Sequence, residues 1–330
     1  MRITQNSIFN SYLTSLNNIQ ENLNNEQTKL STGQDIINIS DDPKRVRDIK
    51  TYSNAIDRKT QIQDNIQQSI DELASVSTTL ESMTTITGNI RQAAIDSTQA
   101  GASKSLATLA TNVKGLLEDL INAANSQYNN KYMFSGTQTT PGSIQPTPPE
   151  TNNNPFELIT VAPTATNPSG LQVVFKGNMD DRVVHKDNTS TEVINTKANE
   201  IFGTNGDELF KPIIDLYNLM AYQNGVPRQD NQGYTIDELN QLSDMQKSIS
   251  GLYDKLTAAG AKNGAKMNRL QAIHDQMTEE ITRLKDFKSS QEDTDIAQSS
   301  INLAKANTAL QYTLKVGAQL LPNTLFDYLK

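Results

Sequence analysis

Between Pro43 and Gly88 the sequence contains neither proline nor glycine. Its apolar residues recur there mostly at steps of three and four: Ile49, Tyr52, Ile56, Ile62, Ile66, Ile70, Leu73, Val76, Leu80, Met83, Ile86 and, just beyond, Ile90. That spacing lines one face of an α-helix. A helix of roughly 55 residues would be about 80 Å long, too long for a compact α/β enzyme. A second long stretch begins where Thr235 can act as a cap. It carries Leu239, Leu242, Met245, Ile249, Leu252, Leu256, Met267, Leu270, Ile273, Met277, Ile281, Leu284 and Phe287. Gly260 and Gly264 would weaken this helix or allow close helix contact, and Ser289-Ser290 is the expected break.

Composition agrees with an extended helical chain. Hydrophobic residues make up 35% and aromatics 5%, with no Trp, against a usual apolar share of roughly 45–50% when Gly is also counted. The balance is Asn, Gln, Ser and Thr, as suits a chain with much surface for its mass. A formal net charge of −8 argues against nucleic acid or an anionic membrane as the main partner. No stretch approaches the ~20 apolar residues of a membrane span, so no membrane insertion is expected. Cysteine is absent, which excludes disulfides, thiolate metal sites and Cys nucleophiles. The N-terminus has one Arg followed by polar residues and does not read as a cleavable secretory signal.

The terminal segments carry a narrower pattern. Phe9, Tyr12, Leu16, Ile19, Leu23 and Leu30 follow heptad-like steps, and Ile296, Leu303, Leu310, Leu314, Leu320 and Leu321 mark the last segment. Seams this narrow give little burial, so both helices should need partners, and these residues are the candidate subunit-packing positions. Gly33 is placed to cap the first helix, and Asp41, Asp42 and Pro43 to turn the chain and restart it. Residues 137–198 differ. They hold most of the prolines and two β-prone runs, Phe156–Val161 and Leu171–Lys176.

The resulting fold class is mainly α: a long antiparallel helical rod or coiled coil of paired N- and C-terminal segments with a small β-rich insertion. We divide it into 1–42 with 289–330, 43–136 with 199–288, and 137–198. Chemistry is not evident. Residues 260–266 depart from a phosphate loop in spacing and lack a Ser or Thr after Lys266. His185 and His274 have no ligand-spaced partner and read as surface or interface residues. Asp180-Asp181, Asp293 and Asp295 read as turn or cap residues. No catalytic residue, cofactor or metal site is expected.

Several short motifs carry a resemblance. Met1-Arg2-Ile3-Thr4, Leu30-Ser31-Thr32-Gly33, Ser40-Asp41-Asp42-Pro43, Tyr132-Met133-Phe134-Ser135-Gly136-Thr137 and Ala261-Lys262-Asn263-Gly264 running to Asn268-Arg269-Leu270 together resemble the bacterial flagellar axial family. The similarity is strongest to its hook-associated members at the hook–filament junction. It covers about residues 1–136 and 200–330. The early Ser/Thr-Gly and Asp-Asp region is shared with flagellins, and the tail has Asn323 or Thr324 where those members have Ser.

The resemblance implies a non-enzymatic adaptor assembled as a ring between the hook-side junction protein and flagellin, with the terminal helices as an inner coiled-coil layer. It also implies an extracellular location, export without a cleaved signal peptide, and a cytoplasmic chaperone on the C-terminal region. A flagellin and a helical secretion-system module are the other readings.

Overall fold

The computed structural model describes residues 2–99, 101, 105–187 and 189–320, with side chains from Ser7 to Gln319 within those ranges. The first helix, α1 (Arg2–Thr32), ends at Gly33. Gly33 sits at φ +76° and its N–H donates to the Lys29 carbonyl at 2.8 Å, a left-handed cap that glycine adopts without a Cβ penalty.

Asp42 then accepts from the N–H groups of Lys44 and Arg45 at 3.1 and 3.0 Å. It thereby satisfies two of the unpaired donors at the start of α2 (Pro43–Asp96), whose first residue is Pro43. Asp41 has a different task. Its carboxylate accepts from Ile37 and Asn38 N–H at 3.2 and 2.8 Å and folds the connecting loop. The helix of 54 residues matches the length expected from the apolar spacing, and Gly88 does not interrupt it.

The next helix, α3 (Leu106–Ala124), leads into a series of antiparallel two-stranded hairpins: β1 (Gln127–Tyr128) with β2 (Lys131–Tyr132), β3 (Phe156–Thr160) with β4 (Leu171–Phe175), and β5 (Val183–His185) with β6 (Thr191–Val193). Two short helices follow, α4 (Ala198–Phe202) and α5 (Lys211–Ala221), and then the hairpin of β7 (Tyr222–Gln223) and β8 (Val226–Pro227). The second long helix, α6 (Ile236–Glu292), begins at a reciprocal cap. Thr235 Oγ1 accepts from Glu238 N–H at 3.2 Å, and the Glu238 carboxylate accepts from Thr235 N–H at 2.7 Å.

The expected break at Ser289-Ser290 is not there: α6 runs on to Glu292. Ser290 Oγ donates to the Phe287 carbonyl at 2.7 Å and Ser289 Oγ to the Asp293 carboxylate, so both hydroxyls are satisfied without leaving the helix. The break falls at 293–295, and Asp295 caps α7 (Ile296–Leu320) through the N–H groups of Ala297 and Gln298 at 2.9 and 3.0 Å. Gly260 and Gly264 lie inside α6, and nothing lies within 4 Å of where a Cβ would stand on either, so they mark no close helix approach. The two β-prone runs form β3 and β4, paired Phe156 to Phe175 and Thr160 to Leu171. The hairpin β5–β6 was not expected, because each strand has only three residues.

The chain forms two compact units, Met1–Thr60 with Thr278–Lys330, and Gln61–Met277. The second has the larger core. Phe134, Phe156, Phe202 and Phe210 are each 1% exposed or less, and Phe156 lies 4.6 to 5.8 Å, centroid to centroid, from the rings of Phe202, Phe175 and Phe210. Leu117, Val113, Ile213 and Met220 belong to the same cluster. The inserted hairpin therefore shares its core with α3, α4 and α5. Asn125, at the end of α3, fastens it by exchanging two hydrogen bonds with the Phe156 backbone at 2.8 and 2.9 Å.

At Gly136, φ +67°, a Cβ would collide with Asn178. That close approach lets the Asn178 side chain accept from Thr137 N–H at 2.8 Å. The Tyr-x-Phe-Ser-Gly step is thus a turn packed at a position only glycine fits.

Asn263 is a polar residue sealed into the α2–α6 contact of this unit. It is fully buried and donates to the Leu73 carbonyl and Ser77 Oγ, each at 2.7 Å, while accepting from Thr196 Oγ1 at 3.2 Å. Replacing Asn263 with Ala should cost about 1–3 kcal/mol by stranding these groups, read as a lowered urea midpoint. An unchanged midpoint would show that the amide makes no net contribution.

Candidate interaction surface

In the first unit α1 and α7 lie antiparallel. Tyr12 faces Gly317, where a Cβ would overlap the tyrosine ring, and Ile19, Asn22 and Glu26 face Asn302, Ala306 and Ala309. Where the pair closes, Gln34 bridges to Asp293. Asp35 N–H donates to the Glu292 carbonyl at 2.8 Å, and Thr294 N–H to the Gly33 carbonyl at 2.9 Å.

A charged knot holds this closure. Asp35 accepts from Lys29 Nζ at 2.9 Å and Arg45 Nη1 at 2.8 Å, and Arg45 Nε donates to the Gln291 carbonyl at 3.1 Å. The Lys29 ammonium and the Arg45 guanidinium together hold the Asp35 carboxyl below the usual carboxylate range. Further along, the rings of Tyr52 and Phe287 lie 6.1 Å apart and Lys59 pairs with Glu280.

The knot fixes the two connectors, but the helix pair beyond it has almost no interior. Among the described residues, no apolar side chain of α1 or α7 is buried, small residues at Gly317 and Ser299 being the closed positions. Tyr12, Leu16, Ile19, Leu23 and Leu30 are half-buried, as are Leu303 and Leu310. Phe9 is exposed, its ring stacked 6.4 Å from that of Tyr12. Ile296 is 64% and Leu314 50% exposed. Leu320 closes α7, and Leu321 lies outside the described residues.

The predicted seam therefore divides. One part lies between the two helices and the other faces water. Ile8, Leu13, Ile301, Tyr312 and Val316 are also exposed, Tyr312 by 66%. They escaped the sequence reading because they stand off the chosen seam, although their apolar character in so polar a helix was a signal. Isolated exposed apolar residues are ordinary. A run of them along both helices of a pair without a core makes this face a candidate interaction surface.

The residues considered for chemistry do not come together. Gly260 to Lys266 is continuous helix, His185 lies on β5 and His274 on α6. Among the described residues no group of three or more His, Asp or Glu could hold a metal ion, and no helix is long and apolar enough to cross a membrane.

Seven helices with small two-stranded hairpins set between them in sequence make this a mainly α protein among the described residues. Residues 3–139 match the bacterial flagellin N-terminal helical region. Among solved structures, the fold is shared with a protein described as a flagellar hook-associated protein of Vibrio parahaemolyticus (18% identity, 77% of this chain and 100% of that chain, TM-score 0.61). It is shared too with flagellar hook-associated protein-3 of Legionella pneumophila (11%, 73% and 98%, TM-score 0.54). A third similar structure is the flagellar junction protein FlgL from Legionella pneumophila (12%, 76% and 100%, TM-score 0.52). No curated protein matches by sequence. The chain thus carries a flagellin-type N-terminal region on the fold of the flagellar hook-associated proteins, in agreement with the resemblance its motifs carry.

Proposed function

We propose that this protein is a structural adaptor of the bacterial flagellum that joins the hook, through its junction protein, to the flagellin filament. Subunits assemble side by side in a ring. Segments 1–42 and 289–330 form the inner coiled-coil layer, 43–136 and 199–288 the helical layer around it, and 137–198 the outward part. The protein acts outside the cell, has no enzymatic activity, and reaches its place by the flagellar export route, with a chaperone on its C-terminal region beforehand.

The observation that carries this reading is the unburied apolar surface of α1 and α7 on a chain with a flagellin-type N-terminal region. Ordering a residue costs roughly 1–2 kcal/mol of backbone entropy, while fully burying a Leu or Ile returns about 1.5–3 kcal/mol. Two long helices with only half-buried seams gain too little from each other. Burial of Ile8, Leu13, Ile301, Tyr312 and Leu314 against neighbouring subunits would supply the rest, so that ordering and assembly are coupled.

The test is a chromosomal Ile301→Glu/Leu314→Glu variant beside a full deletion, with electron microscopy of the cells and an assay for flagellin in the medium. Both strains should show hooks without filaments and flagellin lost to the medium. The purified variant should keep its urea midpoint, since both side chains are exposed and such changes usually fall within about 0.5 kcal/mol. Normal filaments in the deletion strain would overturn the proposal. Bare hooks with no flagellin in the medium would point instead to the filament subunit itself.

A further inference from the structure

The sequence contains three Asn-Gly pairs, Asn205-Gly206, Asn224-Gly225 and Asn263-Gly264, and the fold places the same dipeptide in three different environments. We infer that Asn224 is a site of spontaneous backbone-assisted deamidation in the native protein, and that the fold protects the other two. In this reaction the deprotonated backbone nitrogen of the following residue attacks the asparagine Cγ. The new N–Cγ bond closes a five-membered succinimide, and the Cγ–Nδ2 bond breaks to release ammonia. Water then opens the ring at either carbonyl, leaving aspartate or isoaspartate. The only co-reactant is water, and no protein group is oxidised or reduced. The reaction needs an accessible Gly N–H free of other bonds and an asparagine side chain free to swing over it.

Asn263 meets neither condition. It is fully buried, its amide nitrogen is committed to Leu73 and Ser77, and the Gly264 N–H belongs to the interior of α6. Asn205 is exposed, but Gly206 is buried and its N–H donates to the Gly203 carbonyl at 2.8 Å, so the nucleophile is occupied. Asn224 and Gly225 form the two-residue turn between β7 and β8, with φ +51° and +78°, and both are exposed. This is the turn geometry that selects Asn-Gly in tight hairpins, and among the described residues the Gly225 N–H makes no backbone hydrogen bond.

The turn between β1 and β2 provides an internal comparison. Asn129 and Asn130 also lie at positive φ and are exposed, but there the attacking nitrogen belongs to Asn130, whose side chain crowds the approach. Conversion at Asn224 places a new carboxylate in the turn, and the isoaspartate product adds a methylene to the backbone. Either product strains the two-pair register of Tyr222 with Pro227 and Gln223 with Val226.

The experiment is prolonged incubation of the purified full-length protein at mildly alkaline pH, with and without urea, followed by proteolysis and tandem mass spectrometry. The mass gain and the isoaspartyl isomer are quantified at each of the three asparagines. In native buffer Asn224 should convert at least about tenfold faster than Asn205 or Asn263, the factor given by some 1.4 kcal/mol of local opening. In urea the three rates should converge. A Gly225→Ala variant should slow conversion at Asn224 alone. Equal native rates, an intact Asn224, or the same rank order in urea would each overturn the inference, the last by showing that local sequence and not the fold sets the rate.

Discussion

Replacing Arg228 with Ala is expected to lower the stability of the larger unit by about 3–5 kcal/mol, because it strips the partner from a buried charge. The arginine is 1% exposed at its side chain and Glu238 is 13% exposed, with Nη2 to Oε1 at 2.6 Å. The same guanidinium donates to the carbonyls of Leu219 and Tyr222, at 2.9 and 3.1 Å, and through Nη1 to that of Gly233 at 2.9 Å. It lies 5.2 Å from the centre of the Tyr234 ring.

The residue therefore closes the carbonyl end of α5 and braces the capping box of α6 at once. Alanine would leave Glu238 with an uncompensated charge and three carbonyls without a donor. Urea unfolding followed by circular dichroism should show the loss as a displaced midpoint. Arg228→Lys should recover only part of it, since an ammonium cannot hold the planar fork. A midpoint within error of the parent for the Ala variant would mean that water replaces the guanidinium at no cost.

The second large effect is expected at the ion pair beneath the β3–β4 hairpin. Lys176 Nζ meets Glu157 Oε2 at 2.6 Å, and the two side chains are 4% and 5% exposed. Thr151 adds donors to the other carboxylate oxygen from its N–H at 2.8 Å and its hydroxyl at 2.5 Å. Burial alone would raise the Glu157 carboxyl. The Lys176 ammonium and the Thr151 donors outweigh it and hold the group at about 2, below its ordinary 4.5.

A carboxyl with a depressed folded pKa stabilises above its unfolded value and loses that contribution as pH falls. Stability should decline between about pH 4.5 and pH 2, and the Glu157→Gln variant should decline less over the same window. At neutral pH Lys176→Met should cost about 3 kcal/mol, at the low end for a broken buried pair because Thr151 still serves the carboxylate. Parallel acid titrations of the parent and Glu157→Gln would refute this account of the pair if their slopes coincide.

The helical frame was legible from local signals. The uninterrupted spacing from Ile49 to Ile90 set the extent of α2 because every apolar step and the absence of proline lie within the segment itself. Gly33, Asp42, Pro43 and Thr235 were readable as caps for the same reason: a cap acts across three or four residues. The reading failed at Ser289-Ser290, where the Ser290 hydroxyl bonds back to Phe287 and that of Ser289 forward to Asp293, while α6 continues to Glu292. It missed β5 and β6, whose Val183 and Val193 give too short a run to show an alternation. On the candidate surface, the seam from Tyr12 to Leu30 was visible, but periodicity could not say that Ile296 and Leu314 would face water while Leu303 and Leu310 turned inward.

By itself, then, the sequence determined where the long helices start and, for α2, how far the helix runs. Only the tertiary structure decided which polar residues are enclosed and what they hold. Arg228 drew no reading from the sequence, and Lys176 and Asn263 entered it only as parts of a β-prone run and a motif, yet each proves to be a buried junction between segments. The five clustered phenylalanines, from Phe134 to Phe210, are likewise spread over three separate elements and two turns. Propensity and capping depend on neighbours along the chain, whereas the burial of a charge or an amide depends on partners that arrive from far away in sequence, and no local pattern encodes that arrival.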